Sequence, residues 1–280
     1  MDNKDFINET TVYIQDVYKR FESYQQIVWD ILLEFDRICK KNEINYWLCY
    51  GTLIGAVRDG GQIPWDYDVD VVMFLKDRQQ LIRALESDLS DDYYYTYSNN
   101  CKDYLGGSRL LRVCKKGYAM VAIHVDVFFL LGAINNERAM KRFHARMKRI
   151  KHVFDIKYAP LQYEDCPMDK LQRLKTKVYE CLYSIIPSSL LYRVELSYLE
   201  KYPVKDLVYI PFFGVLVPIE TFNTVYIDIN NRKFPIPDGY DSLLRKIYGD
   251  YQKYFPVETR IQEFYRHVKR IESEQKGVNL

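Results

Sequence analysis

The chain has 280 residues, of which 40 are basic and 38 acidic, for a formal net charge of +2 at pH 7. That length suffices for a substantial core in one or two domains, and the charge balance excludes a general nucleic-acid-binding surface or a long acidic tail. The six cysteines (Cys39, Cys49, Cys101, Cys114, Cys166 and Cys181) show no Cys-x-x-Cys spacing, which predicts reduced, buried thiols and excludes a clustered zinc site or a disulfide framework.

Residues 10–42 are predicted to form a helix. Ile27, Val28, Ile31, Leu32, Phe35 and Ile38 recur at the spacing of a core-facing stripe, and Lys40-Lys41-Asn42 makes a basic stop. The chain then passes into a stretch on which the rest is organised. Tyr46-Trp-Leu-Cys49 reads as a short buried strand. Gly51-Thr52 breaks it, apolar residues continue to Val57, and Gly60, Gly61 and Pro64 break it again. Asp68-Val-Asp-Val-Val72 follows as a strand. Side chains two apart share a strand face, so Asp68 and Asp70 project together while Val69 and Val71 enter the core. Asp66 has the same parity. Two adjacent carboxylates repel, so such a pair calls for a cation or a bound proton. Hard divalent ions prefer these oxygens, and Mg²⁺ takes one or two of them together with substrate phosphates. Gly51 allows close backbone approach, and free amides at the start of a helix over 53–57 would favour phosphate.

Further along, Asp77–Leu89 reads as a helix with Leu81, Ile82, Leu85 and Leu89 on one face. Tyr93–Tyr97, Arg109–Cys114 and Val121–Leu131 read as strands, with a turn-rich loop over Asn99–Gly107. Asp126 is a single acid in the apolar run His124-Val-Asp-Val-Phe-Phe129. A buried carboxylate needs a partner, and the candidates are a metal shared with Asp68 and Asp70 or an ion pair with Arg112. His124 shares its parity and is expected to be a core residue. Asn136–Tyr158 is predicted to be a basic amphipathic helix carrying Lys141, Arg142, Arg146, Lys148, Arg149 and Lys151. A solvated face explains such a stretch, and attraction to an anionic acceptor or lipid headgroups is the alternative. Helices are expected over Asp169–Leu182 and Ser188–Tyr202, then small antiparallel strands within 207–236. A helix capped by Asp238 or Asp241 and stopped by Gly249 comes next, and residues 257–280 read as a charged, frayed helix.

The order strand, Gly-Thr, short helix, Asp-x-Asp strand is similar to the nucleotidyltransferase superfamily. The longer run Gly51-Thr-Leu-Ile-Gly-Ala-Val-Arg58 with Ile63-Pro-Trp-Asp-Tyr-Asp-Val-Asp70 resembles the LicD family of phosphocholine and fukutin-type ribitol-phosphate transferases. The segments His124-Val-Asp-Val-Phe128 and Pro237-Asp-Gly-Tyr240 to Tyr248-Gly-Asp-Tyr251 extend the resemblance over most of residues 25–256. Tyr67 stands where bacterial members often carry aspartate, but its parity is opposite to that of the acid pair.

The resemblance implies an α/β (α+β) fold, a small mixed sheet of the nucleotidyltransferase type wrapped by helices. A core subdomain over about 25–135 and a helical and C-terminal one over about 136–256 would make a single domain of the whole chain. It implies transfer of a phosphorylated alcohol from a CDP-alcohol donor to a hydroxyl of a glycan or lipid-linked glycan, releasing CMP, with Mg²⁺ or Mn²⁺ as cofactor. Asp68, Asp70 and Asp126 would be catalytic and hold the metal. Gly51, Thr52, Arg58 and Asp66 would bind substrate, Arg58 as a phosphate clamp whose fork suits phosphate geometry. Transfer of the nucleotide itself, or binding without catalysis on the same fold, are the alternatives. No signal peptide is evident and no apolar run approaches the roughly 18–20 residues of a membrane span, so a cytoplasmic protein is expected, touching the inner membrane surface by peripheral contact.

Overall fold

The computed structural model describes residues 3–97, 110–118, 123–133, 135–157, 177, 178, 181 and 185–278. The loop expected over 99–107, the helix expected over 169–182 except for isolated positions, and Cys101 and Cys166 lie outside them. Helix α1 (Asn3–Lys41) leads to a short strand β1 (Trp47–Leu48), helix α2 (Tyr50–Ile54) and a π-helical turn over Gly55–Asp59. Strand β2 (Val69–Phe74), helix α3 (Arg78–Asp88), and strands β3 (Tyr93–Thr96), β4 (Leu110–Lys115) and β5 (His124–Gly132) complete the first half. Helix α4 (Glu137–Lys157), helix α5 (Ser188–Leu199), strands β6 (Leu207–Ile210), β7 (Val215–Pro218), β8 (Thr224–Ile229) and β9 (Arg232–Pro237), helix α6 (Tyr240–Tyr248) and helix α7 (Val257–Val278) follow.

The sheet is mixed, as expected. Its order is β1-β2-β5-β4-β3, and β6 and β7 continue it from the far end of β5. β2 runs parallel to β5, while the other pairs are antiparallel. The strand alternation divides the two faces. Val69, Val71, Val125, Val127 and Phe129 point into the main core, where α1 packs its Val28, Ile31, Leu32, Phe35 and Ile38 with no exposed surface beyond 1%. This is the stripe that the 3.6-residue period predicts. The opposite face carries Val72, Phe74, Phe128 and Leu130 against Trp47, Tyr50 and Phe222. On that same face, at the starting ends of β2 and β5, the polar residues gather.

Met140, Phe143 and Met147 of α4 join the main core, so apolar packing is continuous across residue 135. Strands β8 and β9 form a hairpin whose two turn residues, Asn230 and Asn231, have φ of 51° and 61°. That left-handed pair is the type I′ geometry that matches strand twist, and Asn tolerates it well. Helix α6 stops at Gly249 as expected, but its first residue follows Gly239; Asp238 and Asp241 do not cap it. Asp241 lies inside the first turn, where its carboxylate accepts from Arg245 and from the Tyr251 hydroxyl. Helix α7 also departs from expectation. It is anchored, with Val268 and Ile271 buried and Phe264 packed on Phe21 of α1. Among the described cysteines, Cys39, Cys49 and Cys114 are buried thiols, whereas Cys181 is exposed. No helix among the described residues is long and apolar enough to cross a membrane.

Candidate active site

The site is a row across the sheet. Parallel pairing of β2 with β5 sets Asp70 beside Asp126, and antiparallel pairing of β5 with β4 sets Asp126 beside Arg112. Thr96 of β3 continues the row beyond Arg112. Residues in register on neighbouring strands share a face, so two carboxylates and a guanidinium stand side by side. Asp66 and Asp68 arrive from the loop just before β2, whose regular pairing starts at Val69. That loop is tied down from two sides. Gln25 of α1 donates to the carbonyls of Ile63 and Asp66 at 3.1 and 2.6 Å. His267 of α7 donates through Nδ1 to the Trp65 carbonyl at 2.8 Å and sets its ring edge-on to Tyr67, 4.7 Å between centroids.

Gly51 and Thr52 support the acids directly. The Thr52 hydroxyl accepts the backbone amide of Asp70 at 2.8 Å, while the Cys49 amide donates to the Asp70 carbonyl at 3.1 Å. Both backbone groups of Asp70 are therefore fixed by the Gly-Thr turn. A Cβ on Gly51 would lie 2.8 Å from Oδ2 of Asp66, closer than such atoms approach, so the glycine is there to admit that carboxylate. The left-handed turn falls on Tyr50, with φ 52°, rather than on Gly51. Tyr50 is buried, with its ring edge-on to Phe128 and Phe213. A non-glycine residue held there costs on the order of 1–3 kcal/mol unless its surroundings fix it.

The charges do not balance evenly. Burial, then the charge of Asp68, pushes the Asp66 carboxyl well above the usual carboxylate range. Burial again, then Asp68 and Asp126, does the same to Asp70. Asp126 goes the other way. Burial alone would raise it, but His124 and Arg112 together hold it well below the usual range. Arg112 Nε lies 2.7 Å from its Oδ1 and His124 Nε2 lies 3.4 Å from its Oδ2. The ion pair with Arg112 that the sequence offered as one of two partners is thus present, and His124 is a buried neighbour of that pair.

Arg58 is engaged elsewhere. Its guanidinium pairs with Asp59 at 2.8 Å, donates to the Tyr251 carbonyl at 3.2 Å and lies 4.3 Å from the Tyr254 ring centre. As placed, it fastens the C-terminal Tyr-Gly-Asp-Tyr segment to the π-helical turn. The cation in the acid row is Arg112. Two further residues come into play that the sequence did not flag. Tyr248 has its hydroxyl pushed up by burial and then by Cys49, with Asp70, Asp66 and Asp68 adding to the effect, so it stands within electrostatic reach of the acids. His267, lowered mainly by burial, is also within reach of Asp68.

Asp68 and Asp70 are hard oxygen donors, and the excess negative charge that burdens Asp66 and Asp70 is what a cation would neutralise. As placed, no three Asp, Glu, His or Cys groups among the described residues converge to hold one ion. Asp126 faces Arg112 and His124 instead. The set therefore fits an ion held by two carboxylates with its remaining positions open to phosphate oxygens, which is how Mg²⁺ is commonly bound.

A mixed sheet carrying Asp-x-Asp beside a Gly-Thr turn, with a third acid on the neighbouring parallel strand, defines a nucleotidyltransferase-type fold. Comparison with known proteins narrows this. Residues 43–167 match the family described as LicD/FKTN/FKRP, nucleotidyltransferase domain. The chain is 27% identical over 264 residues to the lipopolysaccharide cholinephosphotransferase LicD of Haemophilus influenzae, covering 86% of this chain and 96% of that protein. A stretch of 34 residues is 56% identical to the human ribitol 5-phosphate transferase FKRP, covering 12% of this chain and 7% of the human one. An uncharacterized Rickettsia prowazekii protein is 30% identical over 89 residues. Over residues 43–167 the chain is thus similar to the LicD family.

Proposed function

We propose that the protein transfers a phosphorylated alcohol from a CDP-activated donor to a hydroxyl of a glycan or lipid-linked glycan, releasing CMP, with Mg²⁺ as the metal. The observation that carries this reading is the register of Asp70 with Asp126 across the parallel strands, with Asp66 and Asp68 at the same edge. Phosphoryl transfer demands mainly positioning and neutralisation of charge on the phosphate oxygens. The ion supplies that neutralisation when held by Asp68 and Asp70.

The protein's own groups do the rest. Thr52 and the Cys49 amide hold the Asp70 backbone still, so its carboxylate keeps one direction. The amides of Gly51 and Thr52, in the first turn of α2 and ahead of its hydrogen-bond ladder, are donors for a donor phosphate. Arg112, oriented by Asp126, places a positive charge in the same row. Asp126 thus acts as the third acid through the group it positions, and its low proton affinity suits a carboxylate that stays charged.

The experiment is to incubate the protein with Mg²⁺ and each of CDP-choline, CDP-ribitol and CDP-glycerol, and to follow CMP. CMP from one donor, accelerated by a glycan acceptor, is the expected result. Nucleotide attached to the acceptor, with no CMP released, would replace this reading by nucleotidyl transfer.

A further inference from the structure

A second charged feature lies away from the acid row. Helices α4 and α5 border a cleft of about 230 Å³ lined by Arg142 and Arg146 of α4, Lys201 just after α5, and the rings of Phe143, Tyr198 and Tyr202. Arg142 and Arg146 are one turn apart, so they occupy the same face of α4, and Lys201 faces them from the far wall. Among the described residues no carboxylate lines the cleft and none of the three cations pairs with one. Arg142 Nε reaches only the Arg138 carbonyl at 3.4 Å, while Arg146 and Lys201 lie 5.7 and 5.3 Å from the Tyr198 and Tyr202 ring centres. Like charges four apart on a helix oppose folding slightly, so an anion bound among these three exposed cations would offset their repulsion.

The cleft sits well apart from the acids. Tyr202 and Pro203 lie directly against Gly132, the last residue of β5, with the Tyr202 carbonyl against the place a Cβ would take. Asp126 is near the other end of the same strand, six residues back, or about 20 Å at the rise of a β-strand.

We propose that this cleft binds a phosphate ester. The guanidinium forks of Arg142 and Arg146 would grip the phosphate, the Lys201 ammonium would add a point charge, and the Tyr198 and Tyr202 rings offer flat apolar faces to the carbon skeleton that the ester carries. The ester is either a phosphorylated sugar or a phospholipid headgroup; both present the same group to the same cations. The inference is independent of the chemistry assigned to the acid row, because it concerns binding without donor or metal.

The test is a binding titration of the whole protein, without Mg²⁺ or nucleotide, against glucose 1-phosphate and against glucose. A parallel sedimentation assay uses vesicles of phosphatidylcholine with and without phosphatidylglycerol. The comparison protein is the double variant Arg142→Ala/Arg146→Ala, with Arg142→Lys/Arg146→Lys as the charge-conserving control, each checked for an unchanged melting temperature. Saturable binding of glucose 1-phosphate but not glucose, weakened at least tenfold in the alanine variant and partly kept in the lysine variant, supports the site with a sugar phosphate. Loss of vesicle binding in the alanine variant, without a soluble-ester signal, supports it with a lipid headgroup. Equal behaviour of wild type and alanine variant toward both probes overturns it, as does equal affinity for glucose and its phosphate. CMP release from a CDP-alcohol, measured separately, reports on the acid row alone, so failure of one reading leaves the other standing.

Discussion

Asp70 has its backbone fixed and its side chain in an unfavourable electrostatic field. The Thr52 hydroxyl and the Cys49 amide hold the peptide, while burial first, then Asp68, Asp126 and Asp66, raises the proton affinity of the carboxyl. Replacing Asp70 by Asn therefore removes repulsion without disturbing the turn. Asp70→Asn should raise the melting temperature of the metal-free protein and abolish turnover; a lower melting temperature, or full activity, would contradict the assignment. Thr52 separates shape from hydrogen bonding. Thr52→Ser keeps the acceptor and should be mild, whereas the isosteric Thr52→Val leaves the Asp70 amide unpaired at a cost of about 1–3 kcal/mol. Equal melting temperatures for the two variants would show that the 2.8 Å bond does not matter in solution. Gly51→Val should be worse than either, because a branched side chain would displace the Asp66 carboxylate. Asp126→Ala removes the carboxylate partner of Arg112 in a largely buried pair, so the expected loss is on the order of 3 kcal/mol. The decisive reading is its melting curve against Mg²⁺ with CDP present. A constant downward displacement fits the pairing seen here, and loss of only the metal-dependent rise would instead make Asp126 a ligand.

At the scale of elements, α1 and α7 deserve weight because neither carries chemistry. Glu34 in α1 accepts from Arg37 and from both the amide and hydroxyl of Ser90, tying the helix to the segment after α3. The Arg37 hydrogen bond leads in holding its carboxyl down at about 2. An unfolded Glu titrates near 4.3, about the ordinary value. The folded form thus binds protons less readily than the unfolded form. Its stabilising contribution is complete above the unfolded value and is lost as pH falls from there through about 2. Glu34→Gln should therefore flatten the fall in stability within that window and be measurable as urea midpoints at successive pH values. An unchanged acid slope would count against the pairing. Helix α7 closes over the loop that presents Asp66 and Asp68. Ile271→Ala should cost about 2–4 kcal/mol as a fully buried large-to-small change, without altering any group in the acid row. If that variant melts like wild type, α7 is not packed as described.

For the molecule as a whole, what was legible in the sequence followed the range of the contacts. The core stripe of α1, the strand that carries Asp70 and the buried acid in β5 are periodic or local signals readable from spacing, although Asp68 lies in the loop just before that strand and not within it. The pairing of Asp126 with Arg112 was readable as one of two options, because a buried carboxylate must meet a cation of some kind. Roles created by distant contacts were not readable. Gly51 had a reason to be small, but the reason is a carboxylate fifteen positions on. Arg58 had the chemistry of a phosphate ligand, yet it meets a carbonyl and a ring from the far end of the chain. Helix α7 reads as charged and frayed because its acids and bases outnumber Phe264, Val268 and Ile271, whose i, i+4, i+7 spacing was the signal that an inward face existed. Tyr248 had no local mark beyond its place in the C-terminal motif.

In the proposed reaction the acid row is a metal site that works with a nucleotide diphosphate. The measurement that tests this most directly is a calorimetric titration of Mg²⁺ into the protein with CDP present, for wild type and for Asp68→Asn and Asp70→Asn of confirmed folding. Saturable binding to wild type, lost in both variants, is the predicted result. Equal binding by all three proteins, or none by wild type while CDP itself still binds, would contradict it.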